Sequence, residues 1–209
     1  MFTKTLSPTA QNSLALLGKS RLLKNAYLAG GSALALHLGH RHSLDFDFFT
    51  RKHFKARELT VKLMKLGKFE KSTLQLDTLL GTFNSVKFSL FYLEYPLIKK
   101  VKPFLKISLA STADIAAMKL AALVDRGTKR DFIDLYFLIK EKYNLETIFN
   151  FYNKKYQKLS ENSYSILKAL KYFEDAEESE MPKMIKKVSW EEVKRFFEKE
   201  IRKLAKKYL

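Results

Sequence analysis

Two stretches, Leu28-Ala29-Gly30-Gly31-Ser32-Ala33-Leu34-Ala35-Leu36 and Leu44-Asp45-Phe46-Asp47-Phe48-Phe49, decide how this chain is read. Residues 27–29 are a short apolar strand. Gly30-Gly31-Ser32 breaks it, and residues 33–38 restart as a compact helix ending near Gly39. The alternation from Leu44 to Phe49 then predicts a strand that sends Asp45 and Asp47 to one face and Leu44, Phe46 and Phe48 to the other. The free N–H groups and positive dipole end at a helix start favour a phosphate there, and Ser32 can add a hydroxyl donor. Two carboxylates about 7 Å apart along a strand are close enough to share a divalent cation and, without one, to repel. An isolated Asp-x-Asp is commonly a solvated strand face, and a Gly-Gly-Ser commonly a plain turn. Here Phe46, Phe48 and Phe49 mark an apolar, central strand, where carboxylates without partners are costly.

Outward from this stretch, Ser7-Pro8 is an N-cap and first-turn pair that opens a helix running to about Lys24. Residues 52–66 form a basic amphipathic helix stopped by Gly67, and residues 68–76 and 85–93 form two strands joined around Gly81. From Thr112 the periodicity is helical: 113–124, 130–143, 145–156, 160–173 and 189–208, with the acidic run Glu174-Asp175-Ala176-Glu177-Glu178-Ser179-Glu180 as an exposed connection. The chain is therefore expected to be α/β (α+β), with a mixed-sheet lobe over residues 1–108 and a helical lobe over 109–209 that completes an active-site cleft.

Composition narrows the function. The 209 residues are 46% hydrophobic, which excludes wholesale disorder. No apolar run reaches the roughly 18 residues of a membrane span, and Gln11, Asn12 and Lys19 interrupt the N-terminal apolar patch, so neither a span nor a cleaved signal is expected. Zero cysteines exclude disulfides and thiolate zinc sites and suit a cytoplasmic protein. The net charge of +17 favours a polyanionic partner, although lysine-rich proteomes also make basic proteins that bind no nucleic acid.

A second block carries chemistry in the helical half. Asp131 and Asp134 are neighbours on one helix and repel, which a site offsets with cations; Lys119, Arg126 and Arg130 are the candidates. Lys119 sits among Ala116, Ala117, Leu120 and Leu123, so it is either buried at a site or snorkels to the surface.

The first block, with Arg41 and Ser43 between its halves, resembles the entry motif of DNA polymerase β-like nucleotidyltransferases. The second, Asp114-Ile115-Ala116-Ala117-Met118-Lys119-Leu120-Ala121-Ala122-Leu123, then Arg126, then Lys129-Arg130-Asp131-Phe132-Ile133-Asp134-Leu135-Tyr136, resembles the helical motif of the AbiEii/AbiGii (MenT-like) nucleotidyltransferase toxin family. Together they span residues 27–138. The resemblance implies transfer of a nucleoside monophosphate from a nucleoside triphosphate to RNA, with tRNA as a candidate acceptor, by a toxin with a cognate antitoxin. It implies Mg²⁺ at Asp45 and Asp47, nucleotide binding by Gly30, Gly31, Ser32, Lys119 and Arg126, and catalysis by Asp45, Asp47, Lys119 and Asp131, with Asp134 as the alternative to Asp131. Asp131 would position or deprotonate the acceptor.

The superfamily usually places a third carboxylate on a later strand. The matching strand here, Val86-Lys87-Phe88-Ser89-Leu90-Phe91-Tyr92-Leu93, offers Lys87 or Ser89 instead. Asp77 and Glu94 could take that place only with different strand boundaries. A nucleotide- or RNA-binding protein without turnover, and a small-molecule nucleotidyltransferase, are the competing readings. Weaker candidates are His37, His40 and His42, expected at the surface or on phosphate rather than on a metal, and the lysines Lys99, Lys100, Lys102 and Lys106. Lys154, Lys155, Lys158, Lys168 and Lys171 interleave with Tyr152, Tyr156 and Tyr172, which suits single-stranded RNA or an ordinary solvated helix face.

Overall fold

The computed structural model describes residues 1–208, which form two compact units, Met1–Ser111 and the described residues from Thr112 onward. In the first, Ser7 caps α1 (Pro8–Ser20), its hydroxyl accepting from Ala10 N at 3.1 Å, with Pro8 in the opening turn. There follow β1 (Ala26–Leu28), α2 (Gly30–Leu38), β2 (Asp45–Thr50), α3 (Ala56–Leu66), β3 (Phe69–Gln75), β4 (Thr78–Phe83), β5 (Val86–Tyr92), β6 (Lys102–Phe104) and β7 (Ile107–Leu109). The seven strands make one mixed sheet in the order β3-β4-β5-β2-β1-β7-β6. The aspartate strand is its middle member, antiparallel to β1 and parallel to β5.

Phe46 and Phe48 are fully buried, and across the ladder they sit beside Phe88 and Leu90 of β5, which are also buried. This row of apolar side chains fixes the register of β2, because a one-residue slip would carry Asp45 and Asp47 into the core. Leu44, expected on the apolar face, precedes the strand and is 68% exposed.

Two strands, not one, lie between Gly67 and the start of β5. The expected turn at Gly81 is in fact mid-strand in β4, where any side chain would begin 2.4 Å from the Glu70 carbonyl oxygen on β3. The reversals fall instead at Leu76-Asp77, with Asp77 at φ 55°, and at Asn84-Ser85, both with positive φ as a two-residue hairpin turn requires. The Lys102–Phe104 and Ile107–Leu109 strands arise in a segment read from sequence only as a basic run. They complete the far edge through a parallel pairing of β7 with β1.

The second unit comprises α4 (Thr112–Asp125), α5 (Lys129–Glu141), α6 (Leu145–Tyr156), α7 (Leu159–Lys171), the single turn α8 (Glu174–Glu177) and α9 (Trp190–Tyr208). Helix α4 packs against α5, α6 and α7, and α9 closes on α5 and α7. Phe132, Phe173, Trp190 and Phe197 form an aromatic cluster with ring centroids 5.1–5.9 Å apart. The acidic connection is a helical turn with Ala176 buried, tied down by the Ser179 hydroxyl, which accepts from Lys129 N at 2.9 Å. Among the described residues no helix is long and apolar enough to cross a membrane.

Candidate active site

In the first unit the two aspartates share the open face of β2 at the edge of a groove of about 510 Å³, whose floor is β5, β4 and β3. The glycine turn is packed directly on them. Gly30 has φ +61°, and a side chain there would start 2.4 Å from Asp47 Oδ2. At Gly31 it would start 2.5 Å from the Arg41 guanidinium. Gly30 is thus required by its backbone conformation and its close approach to Asp47, while a side chain at Gly31 would have to displace the end of Arg41. Ala29 N donates to the Asp47 carbonyl at 2.9 Å. The Ser32 hydroxyl, buried, bonds to the Asp45 carbonyl and to Ser43 Oγ, so it fastens the turn to β2 and does not face outward as a free donor.

The parallel ladder places Lys87 beside Asp45 and Ser89 beside Asp47. Ser89 Oγ donates to Asp47 Oδ1 at 2.8 Å and so fixes that carboxylate. Asp77 is engaged elsewhere, accepting from Phe54 N at 3.0 Å and lying 2.5 Å from His53 Nδ1. Glu94 lies beyond the end of β5. Among the described residues no group of three or more acidic or histidine side chains could enclose a metal ion. Two carboxylates on one face, one of them oriented by a hydroxyl, are hard oxygen donors that suit a magnesium ion completed by phosphate oxygens and water.

In the second unit the acidic pair is organised by cations. Lys119 is buried and its ammonium bridges Asp131 Oδ1 at 2.9 Å and Asp134 Oδ2 at 2.7 Å, with both carboxylates fully buried. Lys119 therefore does not snorkel. Arg126, 59% exposed along its side chain, clasps Asp131 with Nε to Oδ2 at 2.9 Å and Nη2 to Oδ1 at 3.1 Å. Thr128 Oγ1 donates to Asp131 Oδ2 at 2.6 Å. Burial opposes ionisation of Asp131, but the charge of Lys119, the bonds and charge of Arg126 and the Thr128 hydroxyl outweigh it and hold the carboxyl well below the usual carboxylate range. A carboxylate so strongly ionised is a weak proton acceptor, so Asp131 orients its cations more readily than it deprotonates an acceptor. Arg130 is exposed.

Several weaker expectations change. His40 is fully buried, so it belongs to the interior, and the half-buried His37 has Nε2 2.9 Å from the Ala110 carbonyl oxygen. Lys155 is 1% exposed and pairs with the buried Asp114 at 3.2 Å, and Tyr152 is buried too; neither can face RNA. Lys154, Lys158, Lys168 and Lys171 remain exposed. Sequence reasoning had no means of finding Asp114 as the partner of Lys155, because the two lie on different helices.

A family model described as "Nucleotidyl transferase AbiEii toxin, Type IV TA system" matches residues 84–208, more than half of the chain. The chain belongs to the AbiEii nucleotidyltransferase toxin family. The match to AbiEii takes in β5 and the whole Lys119–Arg126–Asp131 cluster, while the Asp45–Asp47 strand lies before it. An uncharacterised protein of Aquifex aeolicus, aq_aa25, is 39% identical over 182 residues, spanning 84% of this chain and 86% of its own. Among solved structures, JHP933 of Helicobacter pylori superposes with a TM-score of 0.53 at 19% identity over 97% of this chain and 94% of its own. The MenT4 nucleotidyltransferase toxin of Mycobacterium tuberculosis superposes with a TM-score of 0.54 at 15% identity over 94% and 86%. These likenesses show that this AbiEii member has the mixed-sheet nucleotidyltransferase fold.

Proposed function

We propose that this AbiEii protein transfers a nucleoside monophosphate from a nucleoside triphosphate to an RNA acceptor, with tRNA the first to test, and that it does so in the cytoplasm as a toxin restrained by a cognate antitoxin. The observation that supports this best is the Gly30-Gly31 turn packed against Asp47 on the open, central strand that also carries Asp45. A helix start beside two carboxylates brings a phosphate site and a cation site together.

Asp45 and Asp47 would hold Mg²⁺, which when bound polarises the α-phosphate and offsets charge on the leaving group. The N–H groups of the Gly30-Gly31 turn bind phosphate oxygens, and Ser89 keeps Asp47 oriented. The acceptor hydroxyl oxygen bonds to the α-phosphorus, the bond from that phosphorus to the bridging oxygen breaks, pyrophosphate leaves with the electron pair, and the hydroxyl proton passes to water. In the second unit, Asp131 and Asp134 hold the Lys119 ammonium in place, and Arg126 holds Asp131.

The test is incubation with each α-labelled triphosphate, Mg²⁺ and total tRNA. Label should enter RNA with one or two of the four nucleotides, with release of pyrophosphate, and Asp45→Asn should abolish it while the melting temperature is kept. Triphosphate binding without any label transfer would favour a binding protein, and label on a small hydroxylated acceptor instead of RNA would favour the small-molecule reading.

A further inference from the structure

The groove beside the aspartates contains a charge that the site described above does not use. Lys87 stands next to Asp45 in the parallel ladder, one strand spacing away, on the strand where the resemblance implies a third carboxylate and where Lys87 and Ser89 stand instead. It is exposed on the groove side of β5, and among the described residues its ammonium has no hydrogen-bond or ion-pair partner. The remaining acidic residue that lines this groove, Glu70, is three strands from Asp45 and pairs with Lys68 at 2.8 Å.

We propose that Lys87 is a phosphate-binding residue that takes the place of a second divalent cation, so that the site works with one metal ion. The inference rests on the reading that Asp45 and Asp47 hold a cation. Three carboxylates with two divalent cations present a single net positive charge to a polyphosphate; two carboxylates with one divalent cation and one ammonium present the same. The exchange of carboxylate for lysine therefore leaves the electrostatic balance intact while lowering the metal requirement. A third ligand is also missing geometrically, since the residue beside Asp47 is Ser89, whose hydroxyl is spent on Asp47 Oδ1. Lysine suits the task because it is a compact, mobile point charge that reaches a phosphate oxygen without demanding a fixed donor plane.

The two ligands of the site should respond to Lys87 with opposite signs. An ammonium carried by the residue beside Asp45 in the ladder repels a cation and attracts a polyphosphate. The experiment uses the full chain, Mn²⁺ counted by electron paramagnetic resonance, and inorganic tripolyphosphate measured by calorimetry, a probe that does not depend on which nucleotide is the substrate.

Wild-type protein with tripolyphosphate should bind one Mn²⁺ per chain. Lys87→Met should weaken tripolyphosphate about tenfold, as expected for the loss of one charge-assisted contact, and should bind Mn²⁺ alone equally or up to about threefold more tightly. Lys87→Arg should recover most of the tripolyphosphate affinity. Lys87→Asp should raise the count to two Mn²⁺ per chain. Two Mn²⁺ on the wild type, or unchanged tripolyphosphate affinity in Lys87→Met, would overturn the proposal. Parallel loss of both ligands in Lys87→Met would also overturn it, as the mark of a structural role. Asp45→Asn separates this from the reading it rests on: Mn²⁺ binding that survives in Asp45→Asn defeats the aspartate site itself, whatever Lys87 does.

Discussion

Replacing Lys119 by methionine removes the ammonium that bridges Asp131 and Asp134. The lysine side chain is 7% exposed and both carboxylates are fully buried, so bulk solvent screens them little. Asp131 keeps Arg126 and Thr128, whereas Asp134 loses an ion pair of 2.7 Å. Breaking a buried pair by deleting one partner costs about 3–5 kcal/mol. With a urea dependence of about 2 kcal/mol per molar for a unit of this size, the transition should move down by roughly 2 M. The lone tryptophan, Trp190, reports it directly, since its ring packs on Phe132, the residue after Asp131. The double variant Lys119→Met/Asp134→Asn should regain at least about 1 kcal/mol, because the buried carboxylate that lost Lys119 is then neutral. The sign with pH follows from Asp131. Its folded-state pKa lies below the ordinary 3.8, so its contribution is present above about pH 4 and is lost as pH falls through the folded value. The gap between wild type and Lys119→Met should therefore be widest near neutrality and narrow below about pH 4. A midpoint shift under about 0.5 M, or a double variant no more stable than the single one, would refute the reasoning.

Gly30→Ala should lower stability by about 1–3 kcal/mol through its positive φ and push Asp47 aside, so calorimetry should show Mn²⁺ binding weakened well beyond what the small loss in melting temperature explains. Lys155→Met leaves Asp114 buried without its ion pair and should cost about 3–5 kcal/mol in the urea transition, while Lys154→Met on the exposed side of the same helix should cost under about 0.5 kcal/mol. If the exposed lysines bind RNA, the affinity for tRNA should fall steeply with added salt and that for triphosphate less so; equal, shallow slopes would mean that the +17 charge is ordinary solvation.

What the sequence made legible follows from how far its signals reach. The helices of the second unit were readable because a 3.6-residue period is local: the reading of 145–156 coincides with Leu145–Tyr156, and 113–124 differs from Thr112–Asp125 by one residue at each end. The aspartate strand was readable because alternation with phenylalanine is local as well. Gly81 misled because glycine signals both a turn and a close approach of two backbones, and only the neighbouring strand distinguishes them. Lys155 misled for a related reason. A lysine in an amphipathic pattern reads as surface, and its burial depends on an aspartate 41 residues earlier in the chain. The stacking of the glycine turn on Asp47 and the place of Lys87 in the ladder are likewise properties of strand order, which local periodicity does not encode.

The ladder that pairs β2 with β5 also sets when a growing chain can first assemble its aspartate strand into the sheet. Ser89 lies 42 residues beyond Asp47, so at about 5–20 residues per second the ribosome needs roughly 2–8 s more to deliver it after Asp47 has been added. Until β5 has left the exit tunnel the aspartate strand lacks its parallel neighbour. A nascent or prematurely terminated chain that ends before this point carries the glycine turn and both aspartates but not the hydroxyl that orients Asp47. Synthesis from one end to the other thus gives the AbiEii chain an interval in which its aspartate strand exists without the sheet that completes it.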